Sequence, residues 1–208
     1  MEIPRVFHRI WIGPRPMPAE YKAFGRTWLE HHPGWGMIDW RESDIPQVHP
    51  ELVRQCRRLS NAVNLLRYYL LFANGGVYID CDFECRRSIE PLLEGADFVT
   101  ASQIDDLGHP DALANGFIAC TPGHPIMRAL VDGIPDAFDA SHRNNCGPPY
   151  FTRTVLEQGA GAIDVRVCPA RYFYPYLWTE PERRYEQFPD AYAVHHWAGR
   201  DGLKSPPF

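Results

Sequence analysis

The pattern of apolar and polar positions alternates between helical and strand character along the whole chain. Between residues 51 and 73, apolar residues recur at steps of four and three, which predicts one continuous amphipathic helix. Asn74 and Gly75 follow, and both residue types tolerate the left-handed conformation that often ends a helix. A strand is predicted next at residues 77–83, and it is apolar on both faces until the aspartates, which is typical of a central parallel strand.

The other elements are predicted in the same way. Strands are expected at residues 3–12, 37–40, 96–101, 116–120, 163–167 and 192–197, and helices at 21–31, 124–134 and 149–158. Strands that alternate with helices indicate an α/β sheet, and 208 residues suit a single domain spanning 1–208. Residues 168–189 are rich in proline, tyrosine and arginine and are predicted to form an ordered loop over the site.

Composition narrows the possible partners. A net charge of −5 argues against nucleic acid as the main partner. No apolar stretch approaches the roughly 20 residues of a membrane span, and no leader pattern opens the chain, so we expect a cytoplasmic protein. The six cysteines are scattered without a Cys-x-x-Cys pair, which favours buried reduced thiols over a zinc cluster.

Two aspartates lie within the predicted strand at residues 77–83. In a strand, residues two apart point to the same face, so Asp80 and Asp82 are predicted to project together. Burying two unpaired carboxylates is costly, and packing alone does not explain them. Carboxylate oxygens are preferred by Mg²⁺ and Mn²⁺, which also bridge to phosphates of a substrate. The first hypothesis is therefore an enzyme that uses a metal ion and a phosphate-containing substrate.

Three segments carry a resemblance to a known family. They are IPRVFHRIWIG at 3–13, LLRYYLLFANGGVYIDCD at 65–82, and YAVHHW at 192–197. In order and spacing, these segments resemble the corresponding segments of the glycosyltransferases with the DXD sugar-binding motif. This family includes capsular-polysaccharide and α-mannosyl transferases, and the glucosyltransferase domains of large clostridial toxins are similar.

The resemblance implies a fold and a chemistry. The fold would be α/β of the GT-A type, a nucleotide-diphospho-sugar transferase fold with a mostly parallel central sheet flanked by helices. The cofactor would be Mn²⁺ or Mg²⁺, which neutralises the departing nucleotide diphosphate. The sugar would be transferred with retention at the anomeric carbon, and no catalytic base is nominated among the side chains.

The resemblance also implies the metal ligands. Asp80 and Asp82 match the DXD carboxylates, with Asp80 also reaching the donor. A histidine near the end of the chain would complete the metal site. His195 and His196 face opposite sides of a strand, and the His-x-Trp register favours His195. The family often continues to Ser-Trp, where this chain has Gly199 and Arg200, and Arg200 is the candidate substitute for a phosphate contact.

Four further residues match the donor pocket of the family. Trp11 matches the tryptophan that stacks on the base, and Tyr78 matches a tyrosine lining the pocket. Arg67 matches an arginine that holds sugar hydroxyls or phosphate oxygens, with a surface salt bridge as the alternative. Asn64 stands one turn from Arg67, where the family usually has an aspartate, so the identity of the donor sugar is left open.

These features predict a metal-dependent retaining hexosyltransferase that uses a UDP- or GDP-sugar. Its acceptor would be a saccharide of a growing surface glycan, a lipid-linked saccharide or a small metabolite; the oligomeric state is undetermined. One alternative is a degenerate module that binds sugar nucleotides without turnover. Another is a magnesium phosphatase of the haloacid dehalogenase type, but this needs a lysine between Asp82 and Asp105, and the two lysines are Lys22 and Lys204.

Overall fold

A computed structural model describes residues 2–45, 49–140, 146–161 and 163–198. The strands are β1 (Val6–Ile10), β2 (Gly36–Trp40), β3 (Gly76–Ile79), β4 (Phe83–Cys85), β5 (Phe98–Ser102), β6 (Leu113–Cys120), β7 (Arg166–Cys168) and β8 (Ala193–His195). The α-helices are α1 (Ala19–His31), α2 (Pro50–Gln55), α3 (Leu59–Asn74), α4 (Glu90–Leu93), α5 (Pro125–Asp132), α6 (Ile134–Ala137) and α7 (Pro148–Gly159).

Six strands form the central sheet in the order β2-β1-β3-β6-β5-β7. β1 is parallel to β2 and β3, and β5 is parallel to β7, while β6 is antiparallel to both of its neighbours. Five strands therefore run in one direction and one runs against them. The predicted α/β fold with a mostly parallel sheet flanked by helices is confirmed.

Each face of the sheet is covered by its own apolar cluster. On one face, Tyr78 of β3 packs with α3, α5 and α7. On the other face, the neighbouring residues Val77 and Ile79 pack with aromatic residues of α1 and of the later part of the chain. Because side chains alternate along a strand, β3 is buried on both sides. This explains the continuous apolar run in its sequence.

The prediction of one helix over residues 51–73 is wrong. The segment forms α2 and α3, separated by Cys56, which has an extended ψ of 116°. Arg57 and Arg58 are exposed at the break, while Cys56 points into the core. Leu52 and Val53 of α2 pack against the same apolar cluster as α3, so the apolar spacing continues across the break. The spacing therefore cannot reveal where the backbone leaves the helix.

The predicted strand over residues 77–83 is also two elements. β3 ends at Ile79, and β4 starts at Phe83 in a separate two-stranded sheet with β8. Asp80 follows β3 directly, and Asp82 lies in the turn between the strands. Strand alternation was therefore the wrong reason to place the two carboxylates together. Their arrangement depends on a turn and on β8, which is more than 100 residues away.

The other predicted elements exist with shifted bounds. The strands predicted at 3–12 and 192–197 are shorter, because only their central residues pair with neighbours. Between residues 168 and 189 the chain forms two 3-10 helices, Ala170–Tyr172 and Pro181–Tyr185. Among the described residues, no helix has the length and apolar character to cross a bilayer.

A buried histidine joins the helix end to the sheet. Nε2 of His8 lies 3.1 Å from the carbonyl oxygen of Gly75, and the indole N–H of Trp40 donates to Nδ1 of His8 over 3.0 Å. The neighbouring Gly76 has a φ of +87°, and a Cβ there would approach Nε2 to 2.8 Å. His8 can satisfy both partners only as the neutral tautomer with its proton on Nε2.

We expect His8 to make folding sensitive to acid. Burial lowers the pKa of His8 to about 4, against 6.5 in the unfolded chain. The unfolded state therefore takes up a proton first, so stability is fully present above pH 6.5 and is lost as the pH falls towards 4. From these pKa values, the free energy of unfolding should fall by about 2 kcal/mol between pH 7 and pH 5 through this residue. Denaturant unfolding at both pH values measures it.

His8→Gln should be less stable at pH 7 and should lose that part of the pH dependence. His31→Gln is the control, because His31 is exposed at the end of α1. Equal pH dependence in His8→Gln and in the parent chain would contradict the assignment.

Candidate functional site

Asp80 lies where β3 ends and is surrounded by positive and polar groups. Its backbone N–H donates to the carbonyl oxygen of Gly116 on β6 over 2.9 Å, which continues the pairing of the two strands. The hydroxyl of Tyr78 donates to Oδ1 over 2.8 Å, and Nη2 of Arg67 lies 3.3 Å from the same oxygen. Arg67 is 4% exposed, so the surface salt bridge considered for it is wrong.

Asp82 is brought to the same place by the small sheet. Phe83 of β4 is paired with His195 of β8, which puts this histidine beside the turn. Nε2 of His195 lies 3.1 Å from Oδ1 of Asp82 and 3.6 Å from Oδ2 of Asp80. The backbone N–H of Ala198 donates to the other oxygen of Asp82 over 2.9 Å. Two carboxylates and one imidazole thus converge at one point.

The two adjacent histidines have different surroundings. Nε2 of His196 lies 3.0 Å from Oε2 of Glu84, and its ring stacks on Phe24 with centroids 4.7 Å apart. Of the two histidines, His195 is therefore the one beside the aspartates.

The charges at this point stabilise one another. Burial alone would raise the pKa of Asp80, but Arg67 and His195 outweigh it and hold this pKa below its usual range. Burial alone would lower the pKa of His195, but Asp82 and Asp80 raise it above the ordinary histidine value. Without another cation, the histidine is thus held in its protonated form, where its charge balances the carboxylates.

The three side chains fit a divalent cation. One ligand atom from each of Asp80, Asp82 and His195 can be chosen so that all three lie within 4.8 Å of one another. Carboxylates suit Mg²⁺ and Mn²⁺, and an imidazole nitrogen shifts the preference towards Mn²⁺. A cation here would take the place of the proton on His195 and would balance the same two carboxylates.

A polar network extends from Asp80 into the helical layer. The guanidinium of Arg67 lies over the ring of Tyr78 at 4.5 Å and donates to the backbone oxygen of Asn115. The side-chain amide of Asn115 donates to Oδ1 of Asn64 and to the hydroxyl of Tyr68, both over 3.0 Å. Arg67 and Asn64 therefore both contact Asn115, which ties α3 to β6.

Trp11 lies at the same edge of the sheet, just after β1. Its indole N–H donates to the carbonyl oxygen of Arg15 over 2.7 Å, and its ring meets Tyr21 edge-on at 5.7 Å. The turn that carries Asp80 and Asp82 is called the DXD turn below. The thiol of Cys81 in this turn contacts the carbonyl oxygen of Ile10 and so joins the DXD turn to β1, the strand before Trp11. Trp11 is only partly buried, which leaves part of the indole exposed. Arg200, considered for a phosphate contact, lies outside the described residues.

Two family models match the chain. Residues 18–99 match the glycosyltransferase sugar-binding region containing the DXD motif, and residues 119–202 match the alpha 1,4-glycosyltransferase conserved region. Residues 18–99 are therefore similar to the sugar-binding region of the DXD glycosyltransferases. The resemblance stated from the sequence is thereby confirmed.

The sequence is also similar to those of several longer proteins. Inositol phosphoceramide mannosyltransferase 1 of Schizosaccharomyces pombe is 28% identical over 96% of the chain, and the alignment covers 64% of that protein. Uncharacterized glycosyltransferase L373 of Acanthamoeba polyphaga mimivirus is 24% identical over 83% of the chain and 73% of its own length. The chain spans about half to two thirds of the length of the mannosyltransferases 1 and 3 of S. pombe.

Solved structures show the same fold. The PaToxG glycosyltransferase superposes with a TM-score of 0.59 at 17% identity. The superposition covers 76% of this chain and 71% of the PaToxG chain. The galactosyltransferase LgtC, solved with donor and acceptor sugar analogs, has a TM-score of 0.52 at 11% identity, with 92% and 86% covered. The fold is the GT-A glycosyltransferase fold, and it does not support the phosphatase alternative.

Sequence reasoning missed the aromatic residues that surround His195. Its ring centroid lies 4.6 Å from Phe83, 5.4 Å from Tyr174 and 4.4 Å from Trp197. Tyr174 comes from the tyrosine-rich segment after β7. That composition was a visible signal, although it did not show which of the tyrosines faces the DXD turn.

Gly116 leaves the space that Asp80 and Tyr174 occupy. A Cβ on Gly116 would stand 2.7 Å from Oδ2 of Asp80 and 3.0 Å from the hydroxyl of Tyr174. The first of these distances is too short for any ordinary contact, so one of the two groups would have to move. The glycine is thus needed for the position of the Asp80 carboxylate rather than for an unusual backbone conformation.

We expect Gly116→Ala to weaken binding of Mn²⁺ by about tenfold, as for loss of a group that orients a metal ligand. The methyl group would push Oδ2 of Asp80 away from His195. Titration followed by the electron paramagnetic resonance of free Mn²⁺ measures the dissociation constant. Gly36→Ala is the control, because its Cβ would meet only a Val6 methyl at 3.7 Å. Equal dissociation constants for Gly116→Ala and the parent chain would rule out this constraint.

Proposed function

We propose that this chain is a metal-dependent, retaining glycosyltransferase of the hexosyltransferase type. It would move a sugar from a nucleotide-diphosphate donor to a hydroxyl of a saccharide or another acceptor. The observation that carries the proposal is the convergence of Asp80, Asp82 and His195 on one point within a GT-A fold. The match to the DXD sugar-binding region supports the same conclusion.

In this proposal Asp80, Asp82 and His195 hold a divalent cation, Mn²⁺ or Mg²⁺. When bound, the cation neutralises the negative charge that develops on the departing nucleotide diphosphate. His195 binds it through Nε2 and therefore has to release its proton. Asp80 stays ionised over the physiological pH range, because Arg67 and Tyr78 stabilise its charged form.

The donor would lie along the edge of the sheet between Trp11 and the DXD turn. The exposed part of the indole offers a flat apolar surface for the base. At the other end, Arg67 and Asn64 would face the sugar. Their orientation is set before binding, because Asn115 contacts both of them. Such preorganisation lowers the entropic cost of aligning the anomeric carbon with the acceptor.

The reaction is a substitution at the anomeric carbon. The bond from that carbon to the diphosphate oxygen breaks, and a bond to the acceptor oxygen forms. The acceptor proton would pass to the departing phosphate, so no side chain is needed as the base. Positioning and electrostatic stabilisation by the residues above would supply most of the rate enhancement.

The substrates follow from chemistry and from the relatives. A UDP- or GDP-sugar is proposed as the donor, and the name of the S. pombe relative makes mannose one candidate sugar. The acceptor would be a saccharide, a lipid-linked saccharide or a small metabolite. Residues 1–208 would act as one domain, and the cytoplasm is the proposed location.

The first test is a thermal-shift screen of UDP- and GDP-sugars with and without Mn²⁺. We expect one nucleotide class to raise the melting temperature only when metal is present, because ligands that bind the native state stabilise it. Asp82→Asn should abolish both this shift and turnover, since it removes one anionic ligand while keeping the side-chain shape.

Glu84→Gln is the matched control for Asp82→Asn. It removes a carboxylate two residues away from Asp82. Glu84 lies 3.0 Å from His196, which is similar to the 3.1 Å between Asp82 and His195. It should keep the metal-dependent shift. Turnover by Asp82→Asn at the parent rate would end the metal proposal. Metal-dependent donor binding without turnover on any acceptor would instead identify a degenerate binding module.

A second prediction concerns the base. We expect Trp11→Ala to weaken donor binding by about 1–3 kcal/mol, the range for losing an aromatic stack on a base. The affinity for Mn²⁺ alone should be unchanged, because Trp11 contacts none of the proposed ligands. Calorimetric titration with the nucleotide diphosphate at saturating Mn²⁺ measures the effect. If donor affinity is the same in both proteins, Trp11 has only a packing role.

A further inference from the structure

Within the described part of the chain, His195 lacks the hydrogen bond that usually orients a metal-binding histidine. Such a histidine normally donates its second ring N–H to a carboxylate or a carbonyl oxygen, which fixes the orientation of the ring. Nδ1 of His195 is buried and has no hydrogen-bond partner among the described residues. Another interaction therefore has to stop the ring from turning away from the two aspartates.

Aromatic contacts surround the ring instead. Trp197 is the nearest of the three, with its ring nearly perpendicular to the imidazole at 87°. Phe83 and Tyr174 are tilted against the same ring at 56° and 57°. Edge-to-face contacts of this kind are directional, so together they restrict rotation of the imidazole.

The backbone of Trp197 acts on the second ligand. Its φ is 53°, in the left-handed region, and Cys146 is the other non-glycine residue with positive φ in the described part of the chain. This conformation is unfavourable for an L-residue and persists where the surroundings enforce it. Trp197 lies two residues after the end of β8, where the chain turns and the N–H of Ala198 reaches Oδ2 of Asp82.

Trp197 is itself firmly anchored. It is 8% exposed, and its indole N–H donates to the carbonyl oxygen of Tyr176 over 2.9 Å. Trp178 meets its ring edge-on at 5.5 Å. The segment after β7 thus holds the tryptophan that contacts the histidine.

We propose that Trp197 is a positioning residue of the cation site. Its ring orients His195 in place of the missing hydrogen bond, and its left-handed backbone directs the Ala198 N–H to Asp82. A single residue then fixes two of the three ligands. The inference rests on the proposed function, because it assumes that these side chains bind a cation.

The test compares Mn²⁺ dissociation constants of full-length variants by electron paramagnetic resonance, without donor or turnover. Trp197→Gly removes the ring but accepts the left-handed backbone, and it should bind Mn²⁺ about tenfold more weakly, as for loss of an outer-shell partner. Trp197→Phe keeps an aromatic edge for His195 and should stay within about threefold of the parent chain. Trp197→Leu, which keeps apolar bulk without an aromatic edge, replaces the glycine variant if that variant does not fold.

Trp35→Ala is the control for losing a buried tryptophan. Trp35 is also 8% exposed, and it stacks on Phe7 in the same apolar cluster, away from the aspartates. It should lower the melting temperature but leave the Mn²⁺ dissociation constant unchanged.

The outcomes separate this inference from the proposed function. If the parent chain binds Mn²⁺ and Trp197→Gly binds it within twofold, the positioning role is wrong and the metal site stands. If Trp197→Phe is as weak as Trp197→Gly, the aromatic edge is not what orients His195. If the parent chain itself binds no Mn²⁺, the proposed metal site and the inference both fail.

Discussion

The structure of the site depends on the repulsion between two carboxylates that are held at one point. Asp80 and Asp82 both approach Nε2 of His195, and Arg67 contacts Asp80 from the opposite side. Like charges at such distances need nearby positive charge in a partly buried place. A protonated His195 supplies it in the chain alone, and a divalent cation can replace that proton. The proposed cation would therefore fit without rebuilding the site.

Much of the fold serves to assemble these few side chains. β3 and β6 place Asp80 beside Gly116, while the small sheet of β4 and β8 places His195 beside the DXD turn. The segment after β7 then covers the histidine with aromatic rings. Side chains from distant parts of the chain, such as Asp80 and His195, are thus held together by backbone pairing, which is more rigid than side-chain packing alone. The pairing also explains why a glycine is required where β6 passes the carboxylate.

The proposed donor end of the site is organised by hydrogen bonds to Asn115. Asn115 contacts Arg67 and Asn64, so α3, which carries both residues, is fixed in position against β6. An asparagine at position 64 accepts from Asn115 without adding a third negative charge to those of Asp80 and Asp82. The local charge balance is accordingly complete with Arg67 and His195. The solved neighbours share the GT-A fold, and both they and the sequence relatives have low identity, so the sugar they transfer does not identify the sugar used by this chain.

The sequence by itself determined the α/β class, the buried character of β3 and the position of the DXD motif, because apolar periodicity and a short motif are local properties. It also predicted His195, since the resemblance extended to the end of the chain. The break between α2 and α3 could not be predicted, because apolar residues of both helices pack against the same cluster and their spacing continues across it. The convergence of Asp80 and Asp82 on His195, the fit of Gly116 and the contacts of Trp197 were decided by tertiary structure. They depend on strand pairing between residues far apart in the sequence, between β3 and β6 and between β4 and β8, and no local pattern records that pairing.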